Sequence, residues 1–447
     1  MTGPSSLDVV KTIDAAPIGP LQIRVFLLCA LVAMFDGFDT QSIAFVVPVI
    51  AADWSIDGKT FGPVFSAALA GLMIGQLVLS RLSDRIGRRR TIILSTAIFG
   101  ALTLATAFAQ DWWTLLALRF LAGLGLGGAI PNIMAMTSEF APRRVRSMMI
   151  AIAFGGFPLG AVLGGFLSIR LISDFGWQAV FIAGGAAPML LVPVLLWLLP
   201  ESPRFLLRND GEGRALSRVM TAIVPGGVTD GTRFVADEPM IAHSGFSALF
   251  RDGRAITTSL LWAVFFMSLL IIYFLMSWLP LIVKERGLPI DMAITAAIAL
   301  NLGGALGGVV LGRMIDRFAP YAVLAVAYVA GAVAVVALGA SGAAATLILP
   351  IAFVAGFCTI GTQTGLSAFT TNLYPTDLRS TGIGTALAVG RIGSIVGPTA
   401  GGALMAAGRP VSEVFLVAAV PSIIASLILI VFGFAVYRPN RSRNPGI

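Results

Sequence analysis

Four charged residues lie inside apolar runs of this chain. Asp36 and Asp39 fall within AMFDGFDTQS (33–42), Arg119 within ALRFLAG (117–123) and Arg391 within AVGRIGSIVGP (388–398). If those runs cross a bilayer, each charge costs on the order of 2.5–3.5 kcal/mol on insertion scales unless it is paired or wet. Residues that expensive are expected to work. A carboxylate beside a guanidinium in a dehydrated setting is pulled two ways, because the cation favours the ionised acid and dehydration the neutral one. Water access can then decide the protonation state, which a proton-coupling site requires. A guanidinium without an acid nearby suits another task, since its planar fork matches a bidentate carboxylate.

Membrane helices must hold these residues. Of 447 residues 57% are hydrophobic and only 12% charged, and mean hydropathy is +0.92. A soluble fold cannot bury that much apolar surface, so lipid is the solvent and the bilayer a partner. The apolar stretches have the length of spanning helices and lack the alternation of barrel strands. An all-α membrane protein of twelve transmembrane helices is expected. Spans are placed near 23–51, 61–80, 91–109, 113–138, 147–170 and 177–199, then near 256–283, 292–312, 320–339, 344–371, 380–406 and 412–436. This gives a six-helix bundle over 1–199, a polar central loop over 200–255 and a second six-helix bundle over 256–447.

A net charge of +8 would suggest nucleic acid in a soluble protein. Here the basic residues gather in alternate loops, so orientation explains them and no nucleic-acid partner is expected. Placing the N-terminus, the 81–90 loop, 143–146, the 200–255 loop, 313–317, Arg379 and the C-terminus on one side collects most Lys and Arg there. Excess positive charge marks the cytoplasm, so both termini are expected inside. The first apolar run is longer than a signal h-region and no A-x-A site follows it, so no cleavable signal is expected. Cys29 and Cys358 lie in separate apolar runs and suggest neither a disulfide nor a metal site. The only histidine, His243, is in a polar loop. An intramembrane proton carrier must therefore be a carboxylate.

The halves repeat. LSDRIGRRR around Asp84 matches MIDRFAPY around Asp316, and FAPRRVRS (140–147) matches LYPTDLRS (373–380). Gly71 and Gly75 pair with Gly303 and Gly307; Gly160 and Gly164 pair with Gly393 and Gly397. Matching loops share a membrane side, so the halves are parallel repeats, which typically enclose a midplane site of alternating access. Small residues shared by both halves are scaffold that lets helices approach. The charges that break the repeat are the informative ones, because Asp36, Asp39, Arg119 and Arg391 map onto Ser268, Ile271, Ala352 and Pro158.

Depth selects partners. The first span runs outward, so Asp39 lies about one turn beyond Asp36; the fourth runs inward, with Arg119 about two turns below Asp111. Asp39 is the better match for Arg119, as a proton-coupling pair or as a permanent lock between two helices. Asp36 shares its face by i,i+3 spacing, as a second proton site or a neutral hydrogen-bonded acid. No Asp or Glu lies within a second-half span away from its ends, so Arg391 meets either a first-half aspartate or a substrate carboxylate, and the substrate is favoured. Acids and arginines at the basic side can pair on closure. Asp84, Arg85, Arg88 and Asp316 are expected to gate. So are Glu139 beside Arg143, Arg144 and Arg146, Glu201 and Arg204 in PESPRFL (200–206), and Arg379. Phe38, Phe154, Phe157, Tyr273, Trp278 and Phe369 could stack on a ring, and Gln363 and Asn301 could bond a hydroxyl, with helix packing the competing account for each.

Over essentially its whole length the chain resembles the major facilitator superfamily. SRLSDRIGRRR resembles the signature loop after the second helix, with Ser80 where a glycine is usual; GRMIDRFAP has Gly312 there but Ala319 in place of the second glycine. DGFDTQ (36–41), RFLAGLGLGGAIPN (119–132), SEFAP (138–142), YFLMSWLP (273–280) and GRIGSIVGP (390–398) together resemble the aromatic acid:proton symporter family. That resemblance implies import of benzoate- or hydroxybenzoate-type carboxylates with protons as coupling ion, without a cofactor or enzymatic step, by a functional monomer of the bacterial inner membrane. It places the family's important helix-1 acids on Asp36 and Asp39 and its helix-4 arginine and glutamate on Arg119 and Glu139. GFDT, SEFAP and PESPRFL also resemble sugar porters, but WAVFFMSLLIIYFLMSWLP has no glutamine where those show a pair. Another organic acid or a sugar as substrate, and an aromatic-acid chemoreceptor without net transport, are the alternatives.

Overall fold

The computed structural model describes residues 6–209, 214–224, 232–235, 246–251, 254–342, 344–371, 373–374 and 378–433. Its regular structure is helical apart from two three-residue strands, Ser6–Asp8 and Arg233–Val235, paired in parallel. The expected spans are present as α1 (Pro20–Asp53), α2 (Gly62–Ile86), α3 (Arg88–Thr106), α4 in two segments (Trp112–Gly127 and Ala129–Phe140), α5 (Arg146–Phe175) and α6 (Gln178–Leu198). The second half supplies α7 (Arg254–Glu285), α8 (Ile290–Arg317), α9 (Pro320–Ala340), α10 (Ala345–Thr371), α11 (Arg379–Ala406) and α12 (Val411–Phe432). Among the described residues, ten spans are long and apolar enough to cross a bilayer. The remaining two, α3 and α11, have spanning length but are richer in hydroxyls and glycines.

Local chemistry sets the ends. Gly87, at φ 99, makes the one-residue turn between α2 and α3, a backbone conformation that glycine adopts without a Cβ clash. The Asp111 carboxylate accepts from the Thr114 amide at 2.9 Å and starts α4; the Thr114 hydroxyl and amide together hold that carboxyl below its usual range. The span placed near 113–138 is interrupted. It tightens at Gly128, whose N–H reaches Gly125 O at 3.3 Å, because GLGLGG has low helix propensity. Asn132 Nδ2 covers the Gly128 carbonyl at 2.7 Å.

The described part of the central loop includes a helix. Arg214–Ile223 is a helix with Leu216, Val219, Met220 and Ile223 buried on one face. These residues share a core with Val9 and Ile13 from the short helix Val9–Ala15.

Contacts divide the chain into two compact units. One holds residues 1–40, 70–161 and 178–240; the other holds 41–69, 162–177 and 241–447. The units therefore do not follow the sequence boundaries at 199 and 256. The repeat is visible within each. In the first unit, Gly71 and Gly75 of α2 lie against the Phe120 and Leu124 carbonyls of α4, and Gly160 of α5 against Met34 O of α1. In the second, Gly303 and Gly307 of α8 lie against Phe353 O and Phe357 O of α10, and Gly393 of α11 against Phe266 O of α7. A Cβ at any of these positions would collide with backbone, so the paired glycines perform one packing task twice.

Segments 41–69 and 162–177 pack on second-half helices within the second unit. Gln41 Nε2 donates to Met276 O at 3.0 Å, and Ser66 Oγ to Ile395 O at 2.8 Å. Cys29 and Cys358 are buried and free.

Candidate functional site

Helix crossings in the first unit build a closed polar site. Gly100 of α3 meets Gly185 of α6, Gly125 of α4 meets Phe99 of α3, and Gly37 of α1 lies on Phe157 O of α5. Close backbone approach brings Asp39, Thr103, Arg119 and Phe181 together from α1, α3, α4 and α6. Arg119 and Asp39 are 1% and 2% exposed. Arg119 Nη1 lies 3.2 Å from Asp39 Oδ1 and 3.4 Å from Oδ2, so one nitrogen serves the whole carboxylate. Nη2 turns instead to Thr106 Oγ1 at 2.8 Å and Thr103 Oγ1 at 3.2 Å. The Thr103 hydroxyl donates to Asp39 Oδ1. The guanidinium carbon stands 5.0 Å from the centre of the Phe181 ring, within cation–π range. Nε finds no acceptor among the described residues.

The structure thus joins Asp39 and Arg119, the pair that their depths favour. Asp36 is also buried and accepts from Thr40 Oγ1 at 3.2 Å. The threonines and Phe181 did not emerge from the sequence. A signal was present: the hydroxyls of Thr96, Thr103 and Thr106 recur along α3 near helical spacing and all three residues are buried.

The second unit holds Arg391, half-buried, with Nη1 donating to the Tyr273 hydroxyl at 3.0 Å. It has no acidic partner among the described residues. The other candidates of this unit lie in packing. Trp278 is fully buried, its indole N–H bonded to Pro398 O at 2.9 Å and its ring edge-on to Phe65. Phe369 is buried against Phe432. Asn301 Nδ2 donates back to Ala297 O at 2.9 Å, while Gln363 Oε1 is buried with no partner among the described residues. In the first unit, Phe38 is buried with its ring on Gly184, and Phe154 stacks parallel to Phe157.

The gating candidates of the first unit form a network on the arginine-rich side. Glu139 is buried, accepts from Ser202 Oγ and lies 3.5 Å from Arg88 Nε. Arg88 also pairs with Asp84 at 3.4 Å. Glu201 accepts from the Arg89 and Ser202 amides at 3.0 and 2.9 Å. Arg204 lies within electrostatic reach of Glu139, and Arg85 is exposed. Asp14 gathers the next loop, at 3.0 Å from Arg143 Nε and 3.6 Å from Arg146 Nη2. The side chains of Asp316 and Arg379 lie outside the described residues. In the second unit the Tyr374 hydroxyl donates to Thr258 Oγ1 at 3.1 Å, and burial pushes its phenol above the usual value.

Comparison with known proteins agrees with this architecture. The family model of the Major Facilitator Superfamily matches residues 29–386 and 300–447. A gallate transporter of Pseudomonas putida is 40% identical over 430 residues, covering 96% of each chain. The 4-hydroxybenzoate transporter PcaK of Pseudomonas aeruginosa is 37% identical over 430 residues, again covering 96% of each. Among solved structures, the xylose transporter XylE from E. coli, in a partially occluded inward-open conformation, superposes with a TM-score of 0.70 at 15% identity, covering 93% of this chain and 98% of that one; this shows the fold alone. Matches of that identity and extent settle the family: the chain is a multi-pass membrane protein of the Major Facilitator Superfamily and belongs to its aromatic acid transporters.

Proposed function

We propose that this transporter imports an aromatic carboxylate of the benzoate or hydroxybenzoate type together with protons, by alternating access across the bacterial inner membrane, as a monomer with both termini cytoplasmic. The observation that carries the reading is the unequal partnering of its two intramembrane arginines. Arg119 is enclosed by an aspartate, two threonines and a ring, whereas Arg391 is half-buried and meets one phenol. A pair matched within the protein suits an internal switch, and an unmatched fork suits a carboxylate that comes and goes. Relatives named for gallate and 4-hydroxybenzoate support a ring-bearing carboxylate as that guest.

The cycle follows from charge. A proton entering from outside neutralises Asp39 and loosens its hold on Arg119, with Asp36 and its Thr40 hydroxyl as a second acceptor nearby. The carboxylate settles on Arg391, oriented by Tyr273. With Asp39 neutral and Arg391 matched by the substrate carboxylate, the halves rock. Substrate and proton leave to the cytoplasm, and the Asp39–Arg119 pair re-forms for the return. One proton per monoanion is electroneutral; a second adds about 2.3 kcal/mol of drive per 100 mV.

Proteoliposomes test this reading. Asp39→Asn is expected to abolish accumulation of 4-hydroxybenzoate under an imposed pH difference while labelled substrate still exchanges in counterflow. Accumulation by that variant would refute the coupling role. Absence of counterflow in the unmodified protein would favour a receptor.

A further inference from the structure

We infer that Thr103 is a positioning residue of the proton step: its hydroxyl reverses direction between Asp39 and the α3 backbone, and so keeps Arg119 in place while the acid is neutral. The inference rests on the proton-coupling reading of Asp39.

Thr103 stands apart from the other threonines of its helix. A buried helical threonine ordinarily returns its hydroxyl proton to the carbonyl one turn earlier. Thr91 does so to Gly87 O at 2.8 Å, Thr96 to Ile92 O at 2.8 Å and Thr106 to Leu102 O at 2.8 Å. Thr103, fully buried, gives its proton to Asp39 Oδ1 instead. Its oxygen simultaneously accepts from Arg119 Nη2 at 3.2 Å. The default acceptor, Phe99 O, lies one turn back on the same helix. Thr106 has already committed its proton and serves Arg119 purely as an acceptor at 2.8 Å.

A hydroxyl offers one donor and two acceptor positions, so the switch needs no side chain to leave. With Asp39 ionised, Thr103 donates to the carboxylate. Once Asp39 takes a proton from water, its new O–H donates to Thr103 Oγ1, and Thr103 turns its own proton to Phe99 O as its neighbours do. Thr103 neither gains nor loses a proton. Arg119 keeps both hydroxyl acceptors and the Phe181 face, so neutralising its counter-ion does not strand it.

The charged groups around this step are few. On α1, Asp36 is one turn away and Arg24 and Asp53 lie toward the two ends; α4 contributes Arg119, with Asp111 at its N-cap and Glu139 near its C-terminus. Helix α3 carries only Arg88, Arg89 and Arg90 at its start, and α6 carries no titratable side chain. Helix α5, crossing α1 at Gly160, has Arg146 at its start and Arg170 and Asp174 near its end.

The test is the pH profile of 4-hydroxybenzoate uptake in proteoliposomes, with counterflow at fixed pH as the measure of folded transporter. Thr103→Val keeps the shape and removes the hydroxyl donor from ionised Asp39. A hydrogen bond to a charged group outweighs one to a neutral acid, so the pH of half-maximal uptake is expected to rise by about one unit. Thr103→Ser, which can make the same bonds, is expected to keep the original midpoint. If Thr103→Val shows no counterflow, Thr103→Ala is judged by the same shift. An unshifted midpoint in the valine or alanine variant, or an equal shift in serine, overturns the inference and leaves the coupling reading standing. Uptake by the unmodified protein that ignores pH overturns both.

Discussion

Arg119 of the first unit and Arg391 of the second lie well away from the ends of their spans, and the two are housed in opposite ways. Arg119 has every contact supplied by its own helices and is sealed from solvent. Arg391 has one phenolic partner and remains partly accessible. The same side chain at a comparable cost in lipid is thus made internal in one repeat and left available in the other. Parallel repeats supply equivalent scaffolds, as the glycine crossings show, and the chemistry divides between them.

The contrast can be broken most forcefully at Arg119. Arg119→Leu leaves a dehydrated carboxylate without its cation, and removing one partner of a buried pair typically costs about 3–5 kcal/mol. A large fall in the thermal unfolding temperature of the purified protein is expected, and substituting Asp39→Asn in the same chain should recover part of it. Arg391→Ala comes next. Little stability should be lost, because a half-exposed arginine is not locked into an ion pair. Substrate affinity should fall roughly 30-fold or more, the scale for deleting one side of a charge-assisted pair at about 2–5 kcal/mol. Isothermal titration with 4-hydroxybenzoate reads that directly, and unchanged affinity would sink the clamp. Tyr273→Phe is the smallest effect. It removes one neutral orienting hydrogen bond, worth about 0.5–1.5 kcal/mol, so the KM for uptake should rise only a few-fold with the pH midpoint unmoved. A shifted midpoint would show that the two arginines are not separate devices.

Much of this arrangement is legible in the sequence, for identifiable reasons. Charge in an apolar run stands out against hydropathy, and counting turns from the span ends brings Asp39 to the depth of Arg119. The repeat is legible because glycines that touch backbone tolerate no substitute. Thr103 and Thr106 escape the same reading because a hydroxyl that can satisfy itself on its own helix leaves no mark on hydropathy. Trp278 and Phe369 share an aromatic character with Tyr273, and only packing reveals that the first two are enclosed. The helix Arg214–Ile223 hides inside a polar average because its apolar residues sum along one face and not along the chain. Asp14 and Ser202 act through partners distant in sequence, Arg143 and Glu139, which no local pattern announces.

The tightened turn at Gly128 has a mechanical meaning. Arg119 and Glu139 ride on the same span but on opposite sides of that joint. An unbroken rod would carry any twist of one straight to the other, binding the buried switch to the arginine-rich latch as a single lever. With the span interrupted between them, Arg119 and Glu139 belong to separately terminated segments, and each answers to its own neighbours.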